Sequence, residues 1–402
     1  MQSAPTISRP LLALTALLGT ACATLGQHAA ERVLIDDELE RHIISELRFE
    51  PGAIEYLRQG RREARALDGS VVAVTEPSGR APRARESWIE LADGQRLVGS
   101  PLVLGTAQAA EISQASDQPG LVWSTPLLGS VRIPLEALQR VVLREQAESA
   151  PLDELNDVVV LSNGDQARGL LERLWPDVVL DVDGQQRTFQ LNGVASISLA
   201  NPPMPDAGSR VWLSDGSIVS AESILSDENG VRLDPAEPIT LLGRDVALVT
   251  MSEVLAVAFE SGGVVPIASL GLPDWEPLSP WAIAPSAQDA DRTLLGAAQI
   301  ELVGAVEASW SLPSNTRRVA LRARLREDCR VWGDCVLTVS VGDRVEQPVT
   351  INDRNPEVGF TIDLPGGTER ATLSVRIDEG ANGPIQDRVM LDGFILLSSD
   401  GG

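Results

Sequence analysis

The sequence predicts an all-β chain: three or four small β-barrel or β-roll repeats, then a jelly-roll β-sandwich. Three observations carry this. First, alternating apolar runs are joined by Asx-Gly pairs in "WIELADGQRLVG" (88–99), "VVVLSNGDQARG" (158–169) and "VWLSDGSIVSAE" (211–222). Asp-Gly or Asn-Gly between such runs is the strongest short-range hairpin signal, because the turn residues must tolerate positive φ. Second, each of these units closes on one phrase: "LEALQRVVL" (135–143), "LNGVASISL" (191–199) and "MSEVLAVAF" (251–259). Its apolar spacing begins like one helical turn and ends like a strand. Third, eight strand-like runs punctuated by Gly, Pro, Asn and Asp fill residues 298–397, the density of an antiparallel sandwich.

A chain of 402 residues has room for two to four domains, each with a core. Its hydrophobic fraction, 43%, is that of globular protein rather than disordered chain. Acidic residues number 57 against 33 basic ones, all Arg, for a net charge of −24. Nucleic acid and anionic lipid are thereby excluded as partners, since phosphate binding needs a positive footprint.

Residues 1–23 read as a signal peptide: Arg9, the apolar run "LLALTALLG", then the small-x-small site "ACA" at 21–23. The run is too short to span a bilayer, and no longer apolar run follows, so no transmembrane segment is expected. The chain is read as exported, to the periplasm or beyond the cell. The alternative is a lipoprotein anchored through Cys22. In an oxidising compartment Cys329 and Cys335, in "CRVWGDC", most simply form one disulfide.

The elements follow in order. Residues 24–82 are a degenerate repeat, with a hairpin through Pro51-Gly52 and the closing strand "GSVVAV" (69–74) but no Asx-Gly turn. A rival reading makes 35–47 an amphipathic helix. Residues 83–150, 151–205 and 206–262 are the three clear repeats, the third Asx-Gly unit following the first two, and 151–205 carries a second hairpin about Asp183-Gly184. A unit of this size buries too little alone, so the copies should pack together or exchange strands. Residues 263–280 are a Pro-rich linker of extended chain. Residues 281–402 are the jelly roll.

The repeats, with their L-x-[DN]-G-x-x-x-x-G and I-P-x-x-x-[VL]-x-x-[VI] phrases, resemble small β-barrel repeats of exported planctomycete-type proteins. In the C-terminal part, "GAVEASWSLPSNTRRVALRARL", "CVLTVSVGDRVEQPVTI", "VGFTIDLPGGTERATLSVRID" and "QDRVMLDGFIL" follow one another. This order resembles the NPCBM carbohydrate-binding module family, a galactose-binding-like jelly roll. Asp387, Val389 and Leu391 match its closing phrase, with Leu391 where Trp is usual. The family's His in the phrase that reads "VEAS" (306–309) is missing, and no His follows His42. The resemblance implies a sugar-facing sandwich and one structural calcium.

Sugar sites stack rings on Trp or Tyr and hold hydroxyls with Asp, Asn or Arg. Trp332, Asp387 and Trp310 are the glycan-binding candidates. For Trp310, which alternates with Ala308 and Leu312, the core reading outweighs the ligand reading. Asp392 is the candidate metal ligand, against the commoner fate of a structural hydrogen-bond acceptor. Catalytic triads are disfavoured, because both histidines, His28 and His42, lie near the N-terminus. The function expected is therefore non-catalytic glycan binding outside the cell. The alternatives are an envelope scaffold that binds other proteins through its β repeats and a glycoside hydrolase working through paired carboxylates.

Overall fold

The computed structural model describes residues 30–77, 87–102, 120–144, 153, 155–174, 177–205, 207–288, 293–297, 299–342, 344–364, 371–383 and 386–399. The expected signal, with Arg9 and Cys22, lies outside these residues. The chain is all-β, and no helix among the described residues is long and apolar enough to cross a membrane.

The three Asx-Gly turns are built alike. Gly94, Gly164 and Gly216 are left-handed, at φ of 81°, 89° and 93°. The preceding Asp93, Asn163 and Asp215 are not. Each Asx Oδ1 instead accepts the backbone N–H two residues on, from Gln95 (3.0 Å), Asp165 (3.0 Å) and Ser217 (2.8 Å). The two-residue turn with both φ positive, expected at all three, occurs instead at Asp183-Gly184 (53° and 79°) and, without an Asx, at Gln59-Gly60 (50° and 77°). At the three Asx-Gly turns the side chain caps a longer turn that ends on a left-handed Gly, the usual three-residue alternative.

The first repeat has the same turn without a glycine. Asp36 N–H donates to the Glu40 carbonyl and Leu39 N–H to the Asp36 carbonyl, as Leu161 and Gly164 do with Asp165 and Leu161. Leu39 takes the glycine's place at φ 60°, where a side chain costs roughly 1–2 kcal/mol. Residues Arg32–Asp36 and Arg41–Glu50 are strands, so the helix over 35–47 does not form.

The closing phrases explain how the repeats join. A single 3-10 turn, Leu135–Ala137 or Leu191–Gly193, precedes the closing strands Leu138–Val142 and Val194–Ser198. The other two closing strands are Val71–Thr75 and Val254–Ala258. Each pairs on one edge with the first strand of its own repeat, always with a register slip near the turn. On the other edge it pairs with the closing strand of another repeat: Val141 opposite Ile197, and Val74 opposite Val257. The first repeat thus joins the fourth and the second joins the third. Val131 opposite Leu241 ties second to fourth. One apolar core runs through all four, from Leu34 to Phe259, because no copy can bury its apolar face alone.

The C-terminal part is a sandwich of two antiparallel sheets. Successive strands alternate between them in the jelly-roll manner: Gln299–Val303, Thr316–Leu325, Glu357–Asp363 and Arg388–Ser398 in one, Val306–Ser311, Cys335–Val341 and Thr372–Glu379 in the other. The expected strand over 346–351 shortens to Val349–Ile351. Residues 263–280, read as a linker, belong to the sandwich instead. Val264–Pro266 pairs with the closing strand and Asp274–Pro277 with Val306–Ser311. Proline tolerates these places because edge strands leave one row of N–H groups unused.

The closing strand Arg388–Ser398 lies inside its sheet, between Gln299–Val303 and Thr316–Leu325. Gly393, left-handed at φ 58°, marks a register slip against Ala320/Arg322, a bulge that shifts the side-chain alternation by one. Val389, Leu391, Phe394 and Leu396 therefore all point into the sandwich core. Ile395 and Leu397 point outward and pack with Leu39, Trp212, Leu255 and Leu295 against the repeats.

Leu39→Gly removes the left-handed strain and also a buried side chain at this contact. Large-to-small replacement costs roughly 2–5 kcal/mol and strain relief returns roughly 1–2 kcal/mol. The expected outcome is a chain destabilised by about 1–3 kcal/mol, measured as a lower urea midpoint.

Candidate functional site

Two of the singled-out residues, Asp387 and Trp332, come together at one end of the sandwich. Here the closing strand begins, preceded by Gln386 and Asp387. Asp387 is wholly buried, 0% exposed. Its Oδ1 accepts the N–H of Asp334 (3.1 Å), and its carbonyl accepts the N–H of Gly304 (2.8 Å). Asp334 in turn accepts the N–H of Ala381 through Oδ2 (3.0 Å). The loop Arg330–Asp334 is thereby strapped down from two sides.

Two glycines permit that close approach. A Cβ on Gly380 would stand 1.9 Å from the Asp334 carbonyl oxygen. One on Gly333 would stand 3.0 Å from the Cys329 carbonyl oxygen and 3.1 Å from that of Gln386. With its backbone held, the loop turns its apolar side chains outward. Trp332 is 64% exposed and Val331 projects beside it. Asn382 Nδ2 donates to the Trp332 carbonyl (3.3 Å).

A second indole stands at the same end. The backbone of Trp281 and Ala282 lies over Gly304, where a Cβ would come within 3.2 Å of the Trp281 carbonyl oxygen. Trp281 is 66% exposed, with Leu278 and Ile283 also exposed nearby in the chain. The Trp332 loop is thus tied to Asp387 through Asp334, and the Trp281 backbone lies over Gly304, whose N–H donates to the Asp387 carbonyl. Sequence reasoning placed Trp281 at the start of the domain without assigning it to a site. The signal was available: an isolated Trp in a Pro-rich stretch with no alternation to hide it.

Charge surrounds this end. Glu301 is buried and accepts from Arg326 Nη1 (3.1 Å) and Arg388 Nη2 (2.8 Å). Arg326 also forks onto Asp328 (2.8 and 2.7 Å). Burial pushes the Asp387 carboxyl up to about 6, opposed by the Asp334 N–H and aided by the Asp334 and Glu379 carboxylates. Its Oδ2 is buried with no hydrogen-bond partner, which is the geometry of a carboxyl that folds best protonated. Asp387 supports the loop from beneath and does not meet solvent, so no sugar oxygen reaches it.

Three expectations are corrected here. Trp310, named as a sugar ligand, is 2% exposed and packs edge-on against Phe394, with ring centres 5.5 Å apart. Both of its faces are used by the core. Cys329 and Cys335 are separate thiols, not a disulfide. Cys329 closes the 3-10 turn Glu327–Cys329 and its thiol lies 3.6 Å from Asp328 Oδ1. Cys335 opens a strand and points into the core, where burial, then Asp387 and Asp334, pushes its thiol up to about 12. Asp392, named as a metal ligand, has both oxygens taken by arginines: Arg322 Nε at 2.5 Å and Arg324 Nε at 2.7 Å. A cation there would face two guanidinium groups.

Elsewhere, Asp36, Glu40 and His42 bring one ligand atom each within 4.8 Å of one another. Asp36 Oδ1 already accepts from the N–H groups of Glu38 (3.1 Å) and Glu40 (2.8 Å), and Oδ2 pairs with His42 Nε2 (2.7 Å). These bonds lock the glycine-free turn of the first repeat.

No protein-family model and no curated protein sequence matches the chain. Solved structures that it matches include carbohydrate-binding modules. One is the CBM51 module from Clostridium perfringens GH95 in complex with methyl-galactose, at 9% identity over 33% of this chain and 99% of that one, TM-score 0.26. Another is the pair of tandem CBM51 modules of a family 98 glycoside hydrolase from Streptococcus pneumoniae, at 10% identity over 91% and 88%, TM-score 0.27. A third is a family 35 carbohydrate binding module from Clostridium thermocellum, at 11% identity over 29% and 100%, TM-score 0.19. At such scores the fold rests on the strand order itself and the site on its own geometry.

A carboxyl raised from 3.8 to about 6 by folding stabilises the native state fully below the unfolded value, and that contribution is lost as pH rises through about 6. Asp387→Asn removes the loss. Between pH 4.5 and 7.5 the variant should gain about 2 kcal/mol relative to the parent, read from urea midpoints at the two pH values.

Proposed function

We propose that this chain is an exported, non-catalytic glycan-binding protein that presents Trp332 and Trp281 to sugar rings at one end of its C-terminal sandwich. The observation that carries the reading is the exposed Trp332 on a strapped loop. An indole of this size left in water is unfavourable for a fold that had the choice of burying it, as it does with Trp310. Sugar rings present C–H faces that pack on an indole, and their hydroxyls need polar neighbours. Asn382, Asp328 and Arg326 lie on or beside the loop and supply such groups.

The rigid backbone supports the same reading. The Asp387–Asp334–Ala381 chain of hydrogen bonds holds the loop before any ligand arrives, so binding costs little ordering entropy. Asp387 acts by positioning. Its raised titration is that of a general acid, yet its burial keeps it from a glycosidic oxygen, which favours binding over hydrolysis.

Affinity electrophoresis and isothermal titration of the full chain against a panel of soluble polysaccharides test this. Trp332→Ala should leave the urea midpoint within about 0.5 kcal/mol of the parent. It should weaken glycan binding by about 30-fold, the 2 kcal/mol typical of an aromatic anchor. Trp310→Ala should show the reverse, a loss of about 3–5 kcal/mol of stability with binding retained wherever the protein still folds. A folded chain that binds no polysaccharide, or a Trp332→Ala variant that binds as the parent does, would sink the reading.

A further inference from the structure

The outward face of the closing strand carries Asp392 between Met390 and the Gly393 bulge. It meets the repeats at a cleft of about 110 Å³. Arg41 from the second strand of the first repeat, Arg322 and Asp392 from the sandwich, Gln299, Thr75 and Glu76 line it. In a chain of net charge −24 this is a local concentration of arginine.

The charges do not balance pair by pair. Asp392 is saturated, one oxygen on Arg322 Nε and the other on Arg324 Nε. Glu76 is engaged by Arg32 at 3.3 Å. Glu357 stands opposite Arg324 in the sheet and acts on Arg322. The Arg41 guanidinium makes no hydrogen bond or ion pair with any described residue, although its backbone lies in the strand pair opposite Ile35. Its Nη2 lies over Gly393, where a Cβ would be 2.8 Å away, so the bulge glycine leaves room for the guanidinium. Burial, then the charge of Arg322, lowers the pKa of Arg41, and Asp392 only partly offsets them. A guanidinium held beside another cation without its own carboxylate is an unfavourable arrangement in isolation. It becomes favourable when an anion enters, because the planar fork matches an oxyanion with two parallel N–H donors.

We propose that this cleft between the repeats and the sandwich is a binding site for a compact oxyanion, a carboxylate or sulfate group, held by Arg41 with Arg322. Gln299 and Thr75 offer polar edges for the remaining oxygens. The volume admits a single anionic group and not a polymer chain, so a sugar acid would enter by its terminal residue. The site is separate from the tryptophan end and stands whether or not that end binds glycans.

Isothermal titration of the full chain with sodium sulfate and with sodium glucuronate, against glucose and sodium chloride at matched ionic strength, tests the site. One equivalent of oxyanion should bind and raise the melting temperature, with glucose and chloride without effect. Arg41→Gln should weaken binding at least tenfold, and Arg41→Lys, which keeps the charge but loses the fork, should fall between. Trp332→Ala should leave oxyanion binding unchanged, which separates this site from the glycan reading. Sulfate binding alone identifies a free inorganic anion as occupant and glucuronate binding alone a sugar acid, and either supports the site. Equal responses to sulfate, glucuronate and chloride, or full oxyanion binding by a folded Arg41→Gln chain, would overturn it.

Discussion

The bulge at Gly393 lets the last strand serve two packing faces at once, and the rest of the molecule is arranged around that. Before the bulge the strand sends Val389 and Leu391 into the sandwich; after it Phe394 and Leu396 go the same way. Without the bulge, period-2 alternation would send Phe394 and Leu396 outward. Ile395 and Leu397 would then lose their place against the repeats. The same strand begins at Asp387, which carries the tryptophan loop, and holds Asp392, which gathers two arginines at the cleft. Both candidate sites therefore depend on the register of one strand.

The repeats obey a parallel economy. Each copy exposes the free edge of its closing strand, a row of unpaired N–H and C=O groups that would invite aggregation. Pairing closing strand with closing strand removes that edge and merges four small apolar faces into one core. The contact with the sandwich then uses two leucines, Leu39 and Leu295, in left-handed conformations (φ 60° and 59°). Strain of this sort persists where surrounding packing over-determines the backbone, and here both residues are buried in the contact itself.

Much of the strand pattern was legible because it is local. Asx-Gly pairs and the apolar-x-x-apolar closing phrase each encode a turn and a strand within a dozen residues. The first repeat was harder to read because its turn uses Asp36 and Leu39 in place of Asx-Gly, and the side chain of Asp36 restores the cap from a different position. The Pro-rich 263–280 stretch read as a joint because proline argues for extended chain, and extended chain is equally what an edge strand needs. At the candidate site, Trp332 and Asp387 were legible as residue types. Their connection through Asp334 was not, since it spans some fifty residues of sequence and depends on Gly333 and Gly380 having no side chain.

The sequence by itself determined the all-β class, the hairpins and the acidic composition, because each follows from neighbouring residues and from composition. Only the tertiary structure decided which tryptophans are exposed and which are buried, that the two cysteines stay apart, and that Asp392 answers to arginines. Those outcomes turn on which face of a strand a residue occupies and on what lies across from it. A single bulge, written as one glycine, is enough to exchange the two faces.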